Sequence, residues 1–355
     1  MKSILFFVNP NCGGAERITL LYSKILKSNG FFVKLCVCKD KGSDFNLFSF
    51  IPTGIPCDII EYSKYRLLPW KIANYLRHSR FDVIFSSLPL LSLPLLALKR
   101  FIFRKIKVVV RECNMPSTHS KRELRMSRYL YKYADVVISQ TCEMKAEIEK
   151  FYHLRESDIV VINNPIDKEL IRTKAEEDVD IEFDDSQVKY IACGRLSPQK
   201  DIPTLLKAFA ILQETVSNSV LYLIGKADSL QYLAELKSLV EELDISKSVV
   251  FLGFQTNPYK YMKRADVFVL SSSYEGLPNV MLEAMYVGKP IAATSCIPYI
   301  SRVIHNGFNG YLAEVGNPVS LANAMLKANT ITNLPAYYDA GNSESLIVDV
   351  FKLVV

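Results

Sequence analysis

Two glutamates eight residues apart, Glu275 and Glu283, stand on either side of a Gly276-Leu277-Pro278-Asn279 turn in the stretch SSSYEGLPNVMLEAM. A carboxylate offers two acceptor oxygens and suits paired hydroxyls. One acid precedes the expected helix start and the other lies inside the helix. They can therefore serve two hydroxyl-bearing parts of one ligand, with the free N–H groups of the helix start between them for a phosphate. The alternative is a surface acid followed by an acid that merely complements the helix N-terminus.

Cations stand at a comparable place. After the apolar run Val188–Cys193 comes GRLSPQKD, in which Gly194 permits a turn and Arg195 and Lys200 lie five apart across a Ser-Pro corner. A guanidinium and an ammonium turned toward one point can neutralise a diphosphate, each contact worth about 1.5–3 kcal/mol. Two solvated surface cations would look the same in sequence. Near the amino terminus, NPNCGGAERI puts Gly13 and Gly14 at the start of a helix, where the backbone can approach a ligand closely. The spacing is not the G-x-G-x-x-G dinucleotide fingerprint. Asp178-Val179-Asp180 has a D-x-D spacing suited to a hard cation. It falls in an acid-rich stretch rather than after a strand, and no metal site is expected there.

The elements that must position these groups alternate. Apolar strands are expected at 3–8, 32–38, 81–86, 107–111, 135–139 and 159–162, with helices at 15–28, 67–79 and 121–133. Residues 168–187 are polar and acidic without sustained periodicity and read as a linker. The alternation then restarts, with strands at 188–193, 219–224, 249–252, 266–270 and 290–293. Helices at 202–213, 229–243, 280–287, 318–329 and 343–355 accompany them. Such β-turn-α alternation implies parallel sheets covered on both faces. The fold class is therefore α/β, with two doubly wound domains in series and a cleft between them. The boundaries are 1–167, a linker at 168–187, 188–335, and a carboxyl-terminal segment at 336–355. Ligands in such sheets lie beyond the carboxyl ends of the strands.

GGAER, GRLSPQKD, FLGF and the Glu275-x7-Glu283 element together resemble the retaining glycosyltransferases of family 4, which have the GT-B fold of two Rossmann-like domains. The resemblance covers nearly the whole chain and is strongest over 188–313. It implies that Arg195 and Lys200 hold a donor diphosphate, helped by backbone at Gly14 and Leu277, with Gly13, Gly194, Gly276, Pro278 and Asn279 also in the donor-binding set. It further implies that Glu275 binds the donor sugar, that Glu283 binds the nucleotide ribose, and that Gly253, Phe254 and Gln255 contact the base. Asn163-Asn164-Pro165 would mark the crossing between domains, and residues 343–355 would pack back on the first. Many relatives place a histidine after the strand that corresponds to 107–111. Here the chain reads RECNMPS. Arg111, Glu112 and Asn114 become the acceptor-binding expectation, and Glu112 joins Glu275, Arg195 and Lys200 in the catalytic set; a structural ion pair is the alternative for Glu112. His119, further along in STHSKRE, reads as an exposed loop residue.

Composition sets the remaining limits. The chain has 355 residues, 49% hydrophobic and 23% charged, enough for two cores. Its eight cysteines show no C-x-x-C and read as a reduced, mostly buried set. The opening residues are too short for a signal-peptide core and no apolar run reaches spanning length, so a cytoplasmic protein is expected. Residues 1–178 carry 29 Lys+Arg against 19 Asp+Glu, and 179–355 carry 14 against 18. Between 60 and 132 the ratio is 16 to 4. With the Leu/Pro run from Leu88 and the basic-apolar stretch up to Lys107, this asymmetry favours an anionic membrane surface at the inner face and a polyprenyl-diphosphate-linked or saccharide acceptor; a buried core helix beside a solvated basic surface is the alternative. The resemblance implies transfer from a nucleotide sugar, a UDP-sugar by family habit, in surface polysaccharide assembly, with neither metal nor other cofactor. A nucleotide-sugar epimerase or hydrolase of the same shape is the enzymatic alternative. A nucleic-acid binder would use the basic half alone, and it lacks aromatic-interleaved RNA motifs.

Overall fold

The computed structural model describes residues 2–10, 13–41, 47, 50–332, 334 and 341–354. In chain order the elements are β1 (Ser3–Val8), α1 (Gly14–Ser28), β2 (Phe32–Asp40), β3 (Cys57–Tyr62), α2 (Leu68–Arg77), β4 (Val83–Ser86), α3 (Pro89–Phe101), β5 (Lys107–Arg111), α4 (Lys121–Leu130), β6 (Val136–Ser139), α5 (Cys142–Tyr152) and β7 (Ile159–Val161). There follow α6 (Lys168–Ala175), β8 (Val188–Cys193), α7 (Ile202–Gln213), β9 (Ser219–Ile224), α8 (Leu230–Glu242), β10 (Val249–Gly253), α9 (Tyr259–Arg264), β11 (Val267–Leu270), α10 (Asn279–Tyr286), β12 (Ile291–Thr294), α11 (Pro298–Val303), β13 (Gly310–Ala313), α12 (Pro318–Ala328) and α13 (Ser343–Val354). They form two compact units. One runs to Ile166 and includes α13; the other begins at Asp167 and includes α12.

The first unit is built on a sheet of order β3-β2-β1-β4-β5-β6-β7 and the second on one of order β10-β9-β8-β11-β12-β13, with every strand pair parallel. In each, the order reverses beside the first strand, between β1 and β4 and between β8 and β11. Those are the switch points at which a doubly wound sheet opens a crevice for ligand. The strands are rich in Val, Ile and Phe because both faces are covered. In the first unit Phe351 of α13 is fully buried, stacked near Phe6 and Phe85 at ring centroids 6.2 and 5.9 Å away.

Several expectations change. Residues 168–187 are not a plain linker: Asp167 accepts from the Leu170 amide and starts α6, which packs on α9. The crossing from one unit to the other falls at 166/167. β3, α5, α9, α11 and β13 were not anticipated. The Leu/Pro run, expected on a lipid-facing surface, is mostly core, because α3 buries Leu91, Leu93, Leu95, Leu96 and Leu98. Pro94 inside α3 lacks the N–H that would reach the Leu90 carbonyl, and the Tyr65 hydroxyl donates to that oxygen instead, at 2.9 Å. Among the described residues no helix is long and apolar enough to cross a membrane. The described cysteines are free; Cys36 and Cys38 are buried, but Cys142, at the start of α5, is exposed. Cys12 lies outside the described residues.

Candidate active site

Beside the switch point of the second sheet, the ends of β8 and β9 are bordered by glycines. Gly194 leaves β8 and Gly225 leaves β9, both at φ +148, and a Cβ on Gly225 would lie 1.7 Å from the Gly194 carbonyl oxygen. Only a glycine at 225 lets the two strand ends run this close. The Gly194 amide donates to Ile224 O at 2.9 Å and Leu196 N to Lys226 O at 2.9 Å, so the GRLSPQKD loop leaves the sheet on a fixed path. A short 3-10 turn, Pro198–Lys200, then carries the chain to Asp201 in the left-handed region, whose side chain accepts from the Thr204 amide and caps α7.

That path turns Lys200 toward the strand-end loop of β11. Its Nζ lies 2.6 Å from Glu275 Oε1, with 19% and 8% of the two side chains exposed. Ser272 Oγ donates to the same oxygen at 2.6 Å. Among the described residues nothing donates to Glu275 Oε2. The loops are laced together: Ser271 Oγ donates to Lys200 O at 2.6 Å, Ser273 N to Gln199 O at 2.9 Å, and Gln199 Nε2 to Tyr274 O at 3.0 Å. Cys296, after β12, borders the pair; burial first and then the Glu275 carboxylate push its thiol up to about 12. A small cavity here is lined by Gly194, Arg195, Lys200, Ser271 and Ser272.

Around this centre the other expected donor-site residues take distinct places. Gly276, Leu277 and Pro278 are buried, and α10 starts at Asn279 behind Pro278, whose side chain makes no capping bond. Glu283 is half-buried in the second turn of α10. Arg195 does not converge with Lys200: its side chain is 68% exposed, with Nε 3.3 Å from Asp228 Oδ1. Gly253 ends β10 with φ +66 and its carbonyl accepts from Gly225 N, while Phe254 is exposed. Gln255 turns inward rather than outward. Its Nε2 donates to Leu252 O at 2.8 Å and its Oε1 accepts from the Tyr261 hydroxyl at 3.3 Å. The D-x-D pair is engaged as well, Asp180 with Lys260 and Tyr261 and Asp178 with Arg264 at 3.7 Å. Among the described residues no His/Cys/Asp/Glu group could hold a metal ion.

In the first unit Gly13 precedes α1 in extended conformation, and a Cβ there would meet Glu16 Oε2 at 2.7 Å, so the Glu16 carboxylate lies against the turn. At the end of β5, Arg111 and Glu112 are 1% and 0% exposed. Arg111 donates to Asn164 Oδ1 and to Cys113 Sγ and lies over the Tyr22 ring. Glu112 Oε2 accepts from Tyr131 at 3.0 Å and Tyr152 at 2.9 Å, and Oε1 from the Cys113 amide at 2.9 Å. Burial, and then the Glu112 carboxylate, raise both tyrosines well above their ordinary range, so each keeps its proton to donate. Neither Arg111 nor Glu112 is therefore open to an acceptor in this arrangement; Asn114 is exposed. His119 corrects its expectation. It is only 6% exposed, its Nδ1 3.0 Å from the Tyr152 hydroxyl and its Nε2 3.9 Å from Glu112. Sequence reasoning passed over Ser272, Gly225, Tyr131 and Tyr152. Gly225 carried a readable signal, a lone glycine ending an apolar strand; the tyrosines carried none.

The chain matches the family model described as Glycosyltransferase Family 4 over residues 12–170 and that of Glycosyl transferases group 1 over 173–341. It is 26% identical over 333 residues to the Campylobacter jejuni N-acetylgalactosamine-N,N'-diacetylbacillosaminyl-diphospho-undecaprenol 4-alpha-N-acetylgalactosaminyltransferase, covering 89% of this chain and 87% of that protein. An uncharacterized glycosyltransferase of Methanocaldococcus jannaschii is 32% identical over 182 residues, 50% of this chain but only 44% of that protein. Among solved structures, Anabaena HepE in complex with UDP-glucose superposes with a TM-score of 0.76 at 21% identity, covering 100% of this chain and 98% of that one. The fold is GT-B. The chain belongs with the family 4-type glycosyltransferases, as the two consecutive family matches and the named relatives agree.

Proposed function

We propose that this enzyme moves a sugar from a nucleotide sugar, a UDP-sugar, to a lipid-linked or saccharide acceptor in surface glycan assembly, with retention at the anomeric carbon and without a divalent ion. The observation that carries this reading is the divided use of Glu275. Lys200 and Ser272 occupy Oε1 and orient the carboxylate, and Oε2 is left for sugar hydroxyls. Lys200 commits one of its three ammonium protons to Glu275 and keeps two for phosphate oxygens. Backbone at the start of α10 adds donors, Arg195 adds a reachable cation at the rim, and Glu283 one turn further on takes the ribose diol.

In the reaction the bond between the anomeric carbon and the diphosphate oxygen breaks, and the bond to the acceptor oxygen forms on the same face. The acceptor proton passes to the departing phosphate. Positive charge grows on the sugar and negative charge on the leaving group, and fixed donors aimed at that oxygen lower the barrier. The acceptor class is supported by the C. jejuni relative, whose name specifies a diphospho-undecaprenol saccharide. Peripheral attachment to the inner membrane face is supported by exposed Trp70, Phe101 and Tyr129 on α2, α3 and α4, with Lys71, Arg100 and Lys132 stacked over aromatic rings.

A screen of UDP- and GDP-sugars for nucleoside diphosphate release, with and without a chelator, tests the reading. Release from one UDP-sugar, unaffected by chelator and stimulated by a saccharide acceptor, is expected. Glu283→Ala should reduce it by roughly 10- to 150-fold, the loss of one charge-assisted contact. Release with no acceptor stimulation at all would favour the hydrolase or epimerase alternative, and near-normal turnover in Glu283→Ala would remove the ribose assignment.

A further inference from the structure

Almost every polar side chain of the loop between β5 and α4 is engaged within the loop or by neighbouring elements of the first unit. Glu112 holds the Cys113 amide, and Gln140 Nε2 donates to the Glu112 carbonyl at 2.9 Å. Cys113 Sγ donates to Ser87 O. Ser117 donates through N and Oγ to Glu147 at 2.8 and 3.0 Å, and Thr118 Oγ1 donates to Met115 O at 2.7 Å. His119 meets Tyr152, and Ser120 with Glu123 forms a capping box for α4. Asn114 is the exception. It is exposed, and no described group hydrogen-bonds its side chain.

Burying a carboxylate is costly unless its oxygens are satisfied, and Glu112 is satisfied entirely from within the unit. Its position, one residue before the amide it clamps and two before Asn114, makes it a template for the loop. We propose that Asn114 is the residue of this loop that contacts the acceptor, and that Glu112 is a positioning residue which acts through it by clamping the Cys113 amide. This inference rests on the glycosyltransferase reading above.

The test combines kinetics with amide hydrogen exchange, using the UDP-sugar found in the screen and a synthetic undecaprenyl diphosphate bearing N-acetylglucosamine as acceptor probe. Asn114→Ala should raise the acceptor KM about three- to tenfold, the effect of one neutral hydrogen bond, with Tm unchanged because the side chain is exposed. Glu112→Ala should raise the same KM and speed exchange over residues 113–118, yet add nothing further in an Asn114→Ala background. Glu112→Gln should restore both readouts, because its amide oxygen still accepts from Cys113 while the tyrosine hydroxyls accept from its NH2. If Glu112→Ala does not fold, the Tyr131→Phe/Tyr152→Phe double variant, which withdraws two donors without opening a cavity, should move both readouts the same way. Multiplicative effects of the Glu112 and Asn114 changes, or an unchanged KM in Asn114→Ala, overturn the proposal. A wild-type chain that hydrolyses no nucleotide sugar would overturn the functional reading instead, while exchange over 113–118, which needs neither ligand, still decides the clamp.

Discussion

Lys200 and Glu275 are the residues on which stability and turnover are most tightly joined. The pair is largely shielded from water, so Lys200→Ala leaves the Glu275 carboxylate with Ser272 as its one described partner. Removing one member of a shielded pair costs up to about 3–5 kcal/mol when burial is complete, and less here because Lys200 keeps some exposure. Lys200→Ala should therefore lower both Tm and turnover. Adding Glu275→Gln should recover most of the Tm, since a neutral amide tolerates the site without a cation, and recover none of the turnover. Thermal melts and donor-hydrolysis rates of the two single variants and the double variant decide it; parallel recovery of both quantities would mean that the pair serves the fold alone. At this scale the sequence was informative about which residues matter and silent about how they meet. Lys200 and Glu275 were legible because each lies in the loop that follows a strand. Their direct contact spans 75 positions, and no local pattern encodes it. Glu112 was legible as a residue of interest for the same reason, but its enclosure depends on Tyr131 and Tyr152, which in sequence are ordinary core aromatics.

Among elements, the strand-turn-helix alternation was readable because buried parallel strands are continuous apolar runs that glycines and prolines interrupt. Elements that escaped reading have physical reasons. β3 alternates too weakly to separate from loop. α5 carries Met144, Ile148 and Tyr152 at helical spacing behind a Thr141 cap, but glutamates and lysines between them dilute the pattern. The acid-rich stretch after α6 is held by tertiary charge pairing. Glu176 pairs with Lys263, Asp180 with Lys260 and Tyr261, and Glu177 with Lys174 and Asn257. Side-chain contacts, led by Lys263 for Glu176, Lys174 for Glu177 and Lys260 for Asp180, hold these three carboxyls below their ordinary range. Carboxyls depressed in this way stabilise the strap above their unfolded value near 4, and that contribution is lost as pH falls through their lower folded values. Because the pairs are exposed, salt should weaken them at neutral pH too. Carboxylate NMR titration should place each of the three midpoints below that of the same residue type in an unstructured peptide. Cleavage by an endoprotease that cuts after glutamate should accelerate at Glu176 and Glu177 between about 0.05 and about 1 M salt. Midpoints at ordinary values together with salt-independent cleavage would mean that the strap is held by something other than charge.

For the molecule as a whole, the uneven charge is the property that single residues do not explain. The excess of cations lies in the first half of the chain, and within it α3 packs between α2 and α4. Trp70 is 61% exposed, Phe101 63% and Tyr129 49%, while Arg100 lies 5.1 Å over Tyr133 and Lys132 4.9 Å over Tyr129. Amphipathic aromatic rings and cations together suit the headgroup level of a bilayer, and each basic residue near an anionic surface contributes about 1 kcal/mol. Leu91, Leu93, Leu95, Leu96 and Leu98 of α3 contribute nothing to that surface, because they are core, and Leu90 is exposed. Attachment should therefore be interfacial and reversible. In flotation assays the chain should rise with vesicles containing anionic phosphatidylglycerol at low salt, and should stay at the bottom of the gradient at high salt or with neutral vesicles. Trp70→Ala/Phe101→Ala should weaken binding even at low salt while leaving Tm unchanged, since both side chains are mostly in water. Equal binding to neutral and anionic vesicles would make the charge asymmetry irrelevant to the membrane. No binding to anionic vesicles at low salt would leave acceptor delivery to a partner or to a water-borne saccharide.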